Sequence, residues 1–276
     1  MSPLWRDEVG VYVSPHRLCL VRVQRGVRPR LRAEHEERLQ SAADDSWSRP
    51  LEALNALLAE EPWRMARTRV VFADHWARYA IVPWAAALSS REERLDHGRQ
   101  ILASIYGDAV ASWEVRISEA PPQANQVACA VPAELIAALR AACTAHGGVL
   151  LSLQAQLVAS YDAWRHCLPA SNAWFVSIEQ GSLATARLAG KGWDRVHVVR
   201  IGPDWTRELT RLQTFGRLAS NTPAEGQVYV DAPHAWREVA AGVTGSANTG
   251  GLQWLEEPAG TLTTLQRLGR VRRMAA

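Results

Sequence analysis

From Val9 to Ser14 (VGVYVS) and from Leu18 to Gln24 (LCLVRVQ) the chain runs through β-branched and apolar positions. Only Pro15-His16-Arg17 separates the two runs, and that spacing predicts a β-hairpin. A third strand is expected near Arg30 to Glu34, beyond the turn residues Gly26 and Pro29. The period then changes. Leu51, Leu54, Leu57 and Leu58 share one helical face, with Ser48 placed to cap and Pro50 in the first turn. That helix should end before Pro62. Thr68–Ala73 and Arg78–Pro83 read as further strands.

Ser89-Ser90-Arg91-Glu92-Glu93 is a helix start, with Leu95, Ile101, Leu102 and Ile105 along the apolar face. Trp113–Ser118 and Gln126–Val131 read as strands on either side of a Pro121-Pro122-Gln123 loop. Pro132 opens a helix carrying Leu135, Ile136, Leu139 and Cys143, which Gly147-Gly148 closes. Val149–Leu153 is a strand leading into a helix with Leu157, Tyr161 and Trp164. Phe175–Gly202 alternates as strand, turn, strand, turn, strand. Beyond it lie an expected helix over 204–218, a short strand Val228–Asp231, a short helix over 235–242 and a glycine-rich loop over 245–251.

This mixture specifies an α/β protein. It also contains an echo: VGVYVSPHRLCLVRV and WFVSIEQGSLATARL share one shape, an apolar strand, a short polar turn and an apolar strand. Two copies of a hairpin-plus-helix unit imply two lobes.

Composition narrows the classes. The 276 residues are 47% hydrophobic and 21% charged, which describes a globular chain rather than a disordered one. No apolar run approaches the roughly 20 residues of a membrane-spanning helix. MSPLWRDEVGVYV lacks the basic-then-apolar order of a signal peptide, so a cytoplasmic location is expected. The net charge of +3 comes from interleaved basic and acidic residues, so no nucleic-acid partner is expected. The tail RLGRVRRMAA is a basic run that could meet acidic lipid or an acidic partner but suits a solvated terminus better. Cys19, Cys129, Cys143 and Cys167 form no CxxC and read as buried thiols. The eight histidines show no metal spacing, and no nucleophile elbow or phosphate-binding P-loop is present. Trp76, after His75, and Trp84, after Pro83, are candidates for an exposed partner-binding surface, with core packing the commoner reading of any single tryptophan.

The chemistry to weigh lies in the turns. Glu179-Gln180-Gly181-Ser182 has two readings. It can cradle a phosphate on Gly181 and Ser182 amides, with Glu179 holding Mg²⁺ through water. The reading that local sequence favours is a plain hairpin whose glycine permits the turn. Gly190-Lys191-Gly192, with the sole lysine, reads as an exposed turn.

Three stretches carry a resemblance to a known family. They are IVPWAAALSSREE, CAVPAELIAALRAACTAHGGVLLSLQAQLVAS and FVSIEQGSLATARLAGKGWDRVHVVRIG, spanning about Arg78 to Gly202. In pattern and order they resemble the pilus-assembly PilM group, with its relatives the cytoplasmic part of the secretion protein GspL and the MshI-type biogenesis proteins. The resemblance implies an actin-like (ribonuclease H-like) fold with two lobes, mixed sheets and flanking helices, the second lobe reduced. The first lobe would span 1–165 with an inserted subdomain at about 78–148; the second would span 166–276. The family's first phosphate hairpin carries Asp-x-Gly, yet the matching positions here are Tyr12-Val13-Ser14 followed by Pro15. In the second hairpin the aspartate is replaced by Glu179, while Gly181 stays. The glycines of the adenosine loop are absent after Val228-Tyr229-Val230-Asp231. Ser14, Glu179, Gly181 and Ser182 thus form the remnant of a nucleotide site, and neither ATP nor Mg²⁺ is an expected cofactor. The resemblance implies a non-catalytic scaffold of a pilus or type II secretion assembly platform. Its partners would be a PilN-like inner-membrane protein and a cytosolic assembly ATPase, with membrane contact only through them. The alternative is an active ATPase or sugar kinase using Glu179 and Gly181.

Overall fold

The structure, a computed structural model, describes residues 7–24, 30–40, 46–170, 172–190, 192–202, 205, 207–208, 211, 227–233 and 252–255. In chain order its elements begin with β1 (Glu8–Val13), β2 (Arg17–Gln24), β3 (Arg30–Arg38), α1 (Ser48–Ala59), β4 (Arg67–Phe72) and β5 (Arg78–Val82). There follow α2 (Arg91–Tyr106), β6 (Trp113–Ile117), β7 (Gln126–Pro132), α3 (Ala133–Thr144), β8 (Val149–Ala155) and α4 (Gln156–Trp164). The last are β9 (Ala173–Glu179), β10 (Ser182–Ala189), β11 (Gly192–Arg200), β12 (Gln227–Asp231) and β13 (Leu252–Trp254). Two compact units result. One holds the chain up to Trp76 together with Val131–Ala163; the other holds Ala77–Ala130 and the described residues from Trp164 onward.

The first unit is built on a sheet of order β3-β2-β1-β4-β8. β1 pairs antiparallel with β2 and parallel with β4, and β4 pairs parallel with β8. Tyr12, Cys19, Val21 and Val71 pack with Ala159 of α4 on one face. Val9, Val11, Leu18, Leu20 and Val70 point to the other, the side of α1 and α3. Burial on both faces is why β1 reads as an unbroken apolar run rather than an alternation. β3 extends to Arg38, four residues past the expected end. Its Glu34–Arg38 stretch is polar because it is the sheet's rim, where charge blocks unwanted pairing. Within α1, Ser48 is a helical residue and the cap position falls to Trp47, which makes no side-chain cap. The hydroxyl of Ser48 instead meets that of Ser46 at 3.0 Å.

The second unit contains a three-stranded sheet, β5-β7-β6, and a five-stranded sheet, β11-β10-β9-β12-β13. α2 starts on a full capping box. The Ser90 hydroxyl accepts from the Glu93 amide at 3.1 Å, and the Glu93 carboxylate accepts from the Ser90 amide at 3.0 Å. The helix lies on the three-stranded sheet at Gly98. A Cβ there would sit 3.3 Å from Val82 Cγ2, 3.4 Å from Ile117 Cγ2 and 3.5 Å from Ala128 Cβ, one atom from each strand. β5 also packs against β11. The amide of Asn125 donates to the Trp193 carbonyl at 3.3 Å, and Gly192 leaves room for the Asn125 carbonyl.

In the five-stranded sheet of this unit, Trp174, Val176, Ile178, Leu183, Val228 and Val230 form a core with Trp205. Trp205 meets Trp254 edge-on, ring centres 5.9 Å apart. Trp205, Arg207, Glu208 and Arg211 are helical, as the sequence suggests; the rest of 204–218 lies outside the described residues. So do the expected helix over 235–242, the glycine-rich 245–251 stretch, Lys191 and the basic tail. β13 was not expected at all. The two five-stranded sheets share one topology: first strand in the middle, its hairpin partner and a third strand to one side, two parallel strands to the other. The sequence echo is therefore a structural repeat. No helix among the described residues is long and apolar enough to cross a membrane.

Candidate functional site

The first candidate turn joins β1 to β2. Val13 pairs with Leu18, and the Ser14 amide donates to the Arg17 carbonyl at 2.9 Å, leaving Pro15-His16 as a two-residue loop. The Ser14 hydroxyl donates to the same carbonyl at 3.0 Å. Ser14 is buried. Neighbouring strands tie the turn down: the Leu39 amide donates to the His16 carbonyl and the Ala73 amide to the Val13 carbonyl, each at 2.9 Å. A phosphate is held by amide and hydroxyl donors that converge outward. Here both Ser14 donors end on Arg17, and Pro15 has no N–H. Ser14 and Pro15 thus offer no free donor to a phosphate at this turn.

The second candidate turn joins β9 to β10 by the two-residue loop Gln180-Gly181. Glu179 and Ser182 are ladder partners, and Gly181 sits at φ +84°, a conformation that favours glycine. Glu179 and Ser182 are both buried, and the Ser182 hydroxyl donates to Glu179 Oε1 at 3.0 Å. The Gly181 carbonyl accepts from the Ile201 amide at 3.1 Å. The serine donor that would serve a phosphate is thus turned onto the neighbouring carboxylate. Glu179, Gly181 and Ser182 are brought together; Ser14 belongs to the other unit.

Two acids beside these turns were not singled out from the sequence. Asp74 is buried just past the end of β4, next to the Ala73 amide that holds the first turn. Asp231 ends β12 and is the ladder partner of Ser177, so it shares a face with Ser177 and Glu179. Asp231 ends, and Asp74 lies two residues beyond, the parallel strand that pairs with a hairpin's first strand. Only the non-local β1–β4 and β9–β12 pairings bring them there, so no local spacing reveals them. The Ser177 hydroxyl is buried with no hydrogen-bond partner among the described residues. No cluster of three or more histidine, cysteine or acidic side chains suited to a metal occurs among the described residues.

Other candidate residues fall as follows. Trp84 is exposed and remains a candidate for a partner-binding surface, whereas Trp76 is buried beside His75 and takes the core-packing reading. Cys19 and Cys143 are buried thiols, Cys129 is half-buried and Cys167 is exposed, so the buried reading fails at Cys167. The pair Tyr106 and Trp113, ring centres 5.5 Å apart, lies beside exposed Ile105 and was not singled out either.

No family model matches the chain, and no curated protein matches it. Solved structures do. The cytoplasmic domain of EpsL, an inner-membrane component of the type II secretion system of Vibrio cholerae, is 10% identical with a TM-score of 0.59; the match covers 98% of this chain and 96% of that one. A PilM-PilN type IV pilus biogenesis complex is 18% identical with a TM-score of 0.64, covering 90% and 88%. A Bacteroides thetaiotaomicron protein of actin-like ATPase fold and unknown function is 9% identical with a TM-score of 0.61, covering 92% and 94%. The fold of this chain is the actin-like fold, with mixed sheets and flanking helices, as the sequence resemblance implied.

Proposed function

We propose that this chain is a non-catalytic cytoplasmic scaffold of a type IV pilus-like or type II secretion-like assembly platform. It binds the cytoplasmic segment of a PilN-like inner-membrane protein and, through that partner, lies at the membrane. A cytosolic assembly ATPase is its second partner, and it neither binds nor splits ATP itself. The reading is supported by the likeness in fold, over nine-tenths of the chain or more, to proteins of two such systems. The observation that carries its non-catalytic part is the first turn, where the Ser14 donors are spent on Arg17 and Pro15 supplies none.

Calorimetric titration tests both parts. The purified chain should bind a peptide spanning the cytoplasmic segment of the membrane protein encoded beside it, and should give no heat with Mg-ATP. Micromolar Mg-ATP binding that disappears in Glu179→Ala would replace the scaffold by an actin-like ATPase or sugar kinase. Failure of the peptide to bind would remove the assembly role.

A further inference from the structure

The four outer strands of the two five-stranded sheets differ in how their free edges are treated. β3 carries six charged residues in nine. β11 has β5 packed against it. β13 is three residues long. β8 has none of these devices: its sequence VLLSLQA contains no charge and no proline. Among the described residues only β4 pairs with it, and Leu150–Gln154 are half-buried where a central strand would be covered. A long uncharged edge with free amides and carbonyls is a template for another strand.

The surroundings say what that strand must carry. Val149 is 50% exposed and Met65 is 71% exposed. The Met65 side chain lies over Gly147, where an added Cβ would be 3.5 Å from its Cγ. Arg67 is the ladder partner of Val149, with Arg64 exposed just before it. Arg69, further along, is matched by Glu8 at 3.3 Å and Ser152 at 3.2 Å. Among the described residues Arg64 and Arg67 make no ion pair. An apolar edge thus ends in two unmatched cations. One register shift, with Leu151 as the extra residue, divides the edge into Val149–Leu150 and Ser152–Ala155.

We propose that the outer edge of β8 receives an extended segment of a partner protein by strand addition, apolar on the α3 side and bearing an acidic residue level with Arg67. Main-chain hydrogen bonds supply the attachment, the half-buried Leu150 and Leu153 are covered, and the acid selects the end of the strand at which the partner starts. The inference rests on the scaffold reading for the class of its partner, and on the geometry of β8 for its place.

Two short labelled peptides alternating valine and threonine, one ending in glutamate and the other in lysine, test it by fluorescence anisotropy. The glutamate peptide should bind, and the lysine peptide severalfold more weakly. Arg67→Glu should reverse that preference. Val149→Lys, which puts a charge on the edge, should weaken both at least about tenfold, with an unchanged thermal melt. No binding by wild type, no reversal in Arg67→Glu, or equal binding by Val149→Lys overturns the proposal. So does a concentration-dependent dimer of wild type that Val149→Lys abolishes and the peptides do not disturb, since a second copy would then be the occupant. If the membrane partner's segment binds wild type and Val149→Lys equally, β8 is not its site and the scaffold reading stands. If the glutamate peptide binds at β8 and that segment binds nowhere, the scaffold reading fails instead.

Discussion

Replacing Gly98 by alanine and then by valine tests how closely α2 lies on its sheet. Glycine in a helix interior is less favourable than alanine by about 1 kcal/mol, so on propensity alone Gly98→Ala stabilises. The added methyl, however, would lie 3.3–3.5 Å from three side-chain atoms, one on each of β5, β6 and β7. The shorter of these contacts are inside the 3.5–4.0 Å optimum for two carbons, so part of the gain is lost to a shift of a few tenths of an ångström. The expected net is a stabilisation of about 0–1 kcal/mol. Valine adds two more methyls on the same side. The three strands are held to one another by their ladders and cannot part independently, so overpacking should cost about 1–3 kcal/mol. The signature is a reversal of sign between the two variants. Urea unfolding followed by circular dichroism reads the total, and amide hydrogen exchange in α2 and β7 assigns it, because two units need not unfold in one step. A valine variant as stable as the alanine one, with unchanged exchange in α2, would refute the close approach.

Ser90→Ala removes the acceptor of the Glu93 amide and should cost about 1 kcal/mol, measured by urea unfolding. Amides of Ser90 and Ser89 hold the Glu93 carboxyl below its ordinary value. A depressed carboxyl contributes stability above its unfolded pKa and loses it as pH falls through the folded value, so wild type should lose in acid a stability that Glu93→Gln lacks at every pH. The Cys143 thiol is pushed up to about 12 by burial, and Cys19 to about 11 by burial against the opposing pull of Arg17. A thiol reagent at neutral pH should therefore modify exposed Cys167 first and leave Cys19 and Cys143 until unfolding. These raised values add stability below the ordinary thiol pKa that is lost as pH rises beyond it, so the unfolding midpoint should fall at alkaline pH and fall less in Cys143→Ala.

The hairpins were legible because their evidence is local. Two apolar runs around Pro15-His16 or Gln180-Gly181 admit little but a tight turn. The far half of β3 was not, because its Glu, His and Arg residues carry no apolar alternation and only the ladder with β2 makes them a strand. The short β13 has three residues and lies beside a glycine-rich stretch, too little for any period to show. At the candidate site, that Ser14-Pro15 stands where the resembled family carries Asp-x-Gly could be read from the residues alone. That both Ser14 donors turn onto one carbonyl depends on the direction of Arg17, which no residue type records. The acids Asp74 and Asp231 needed the parallel pairings of distant strands.

The insertion of residues 77–130 between β4 and β8 has a consequence for how the chain closes. β4 cannot gain its outer neighbour until β8 has been synthesised, long after Phe72. Within the insertion, however, Arg78 and Ala130 are ladder partners. Once β5 and β7 have zipped, everything between them counts as a single joint, and the loop separating Phe72 from Val149 shrinks to about a third of its length. Closure entropy falls with the logarithm of loop length, so this spares about 1 kcal/mol in bringing β8 home. The inserted sheet works as a pre-tied knot in the thread: the earlier it tightens, the sooner the first sheet is complete.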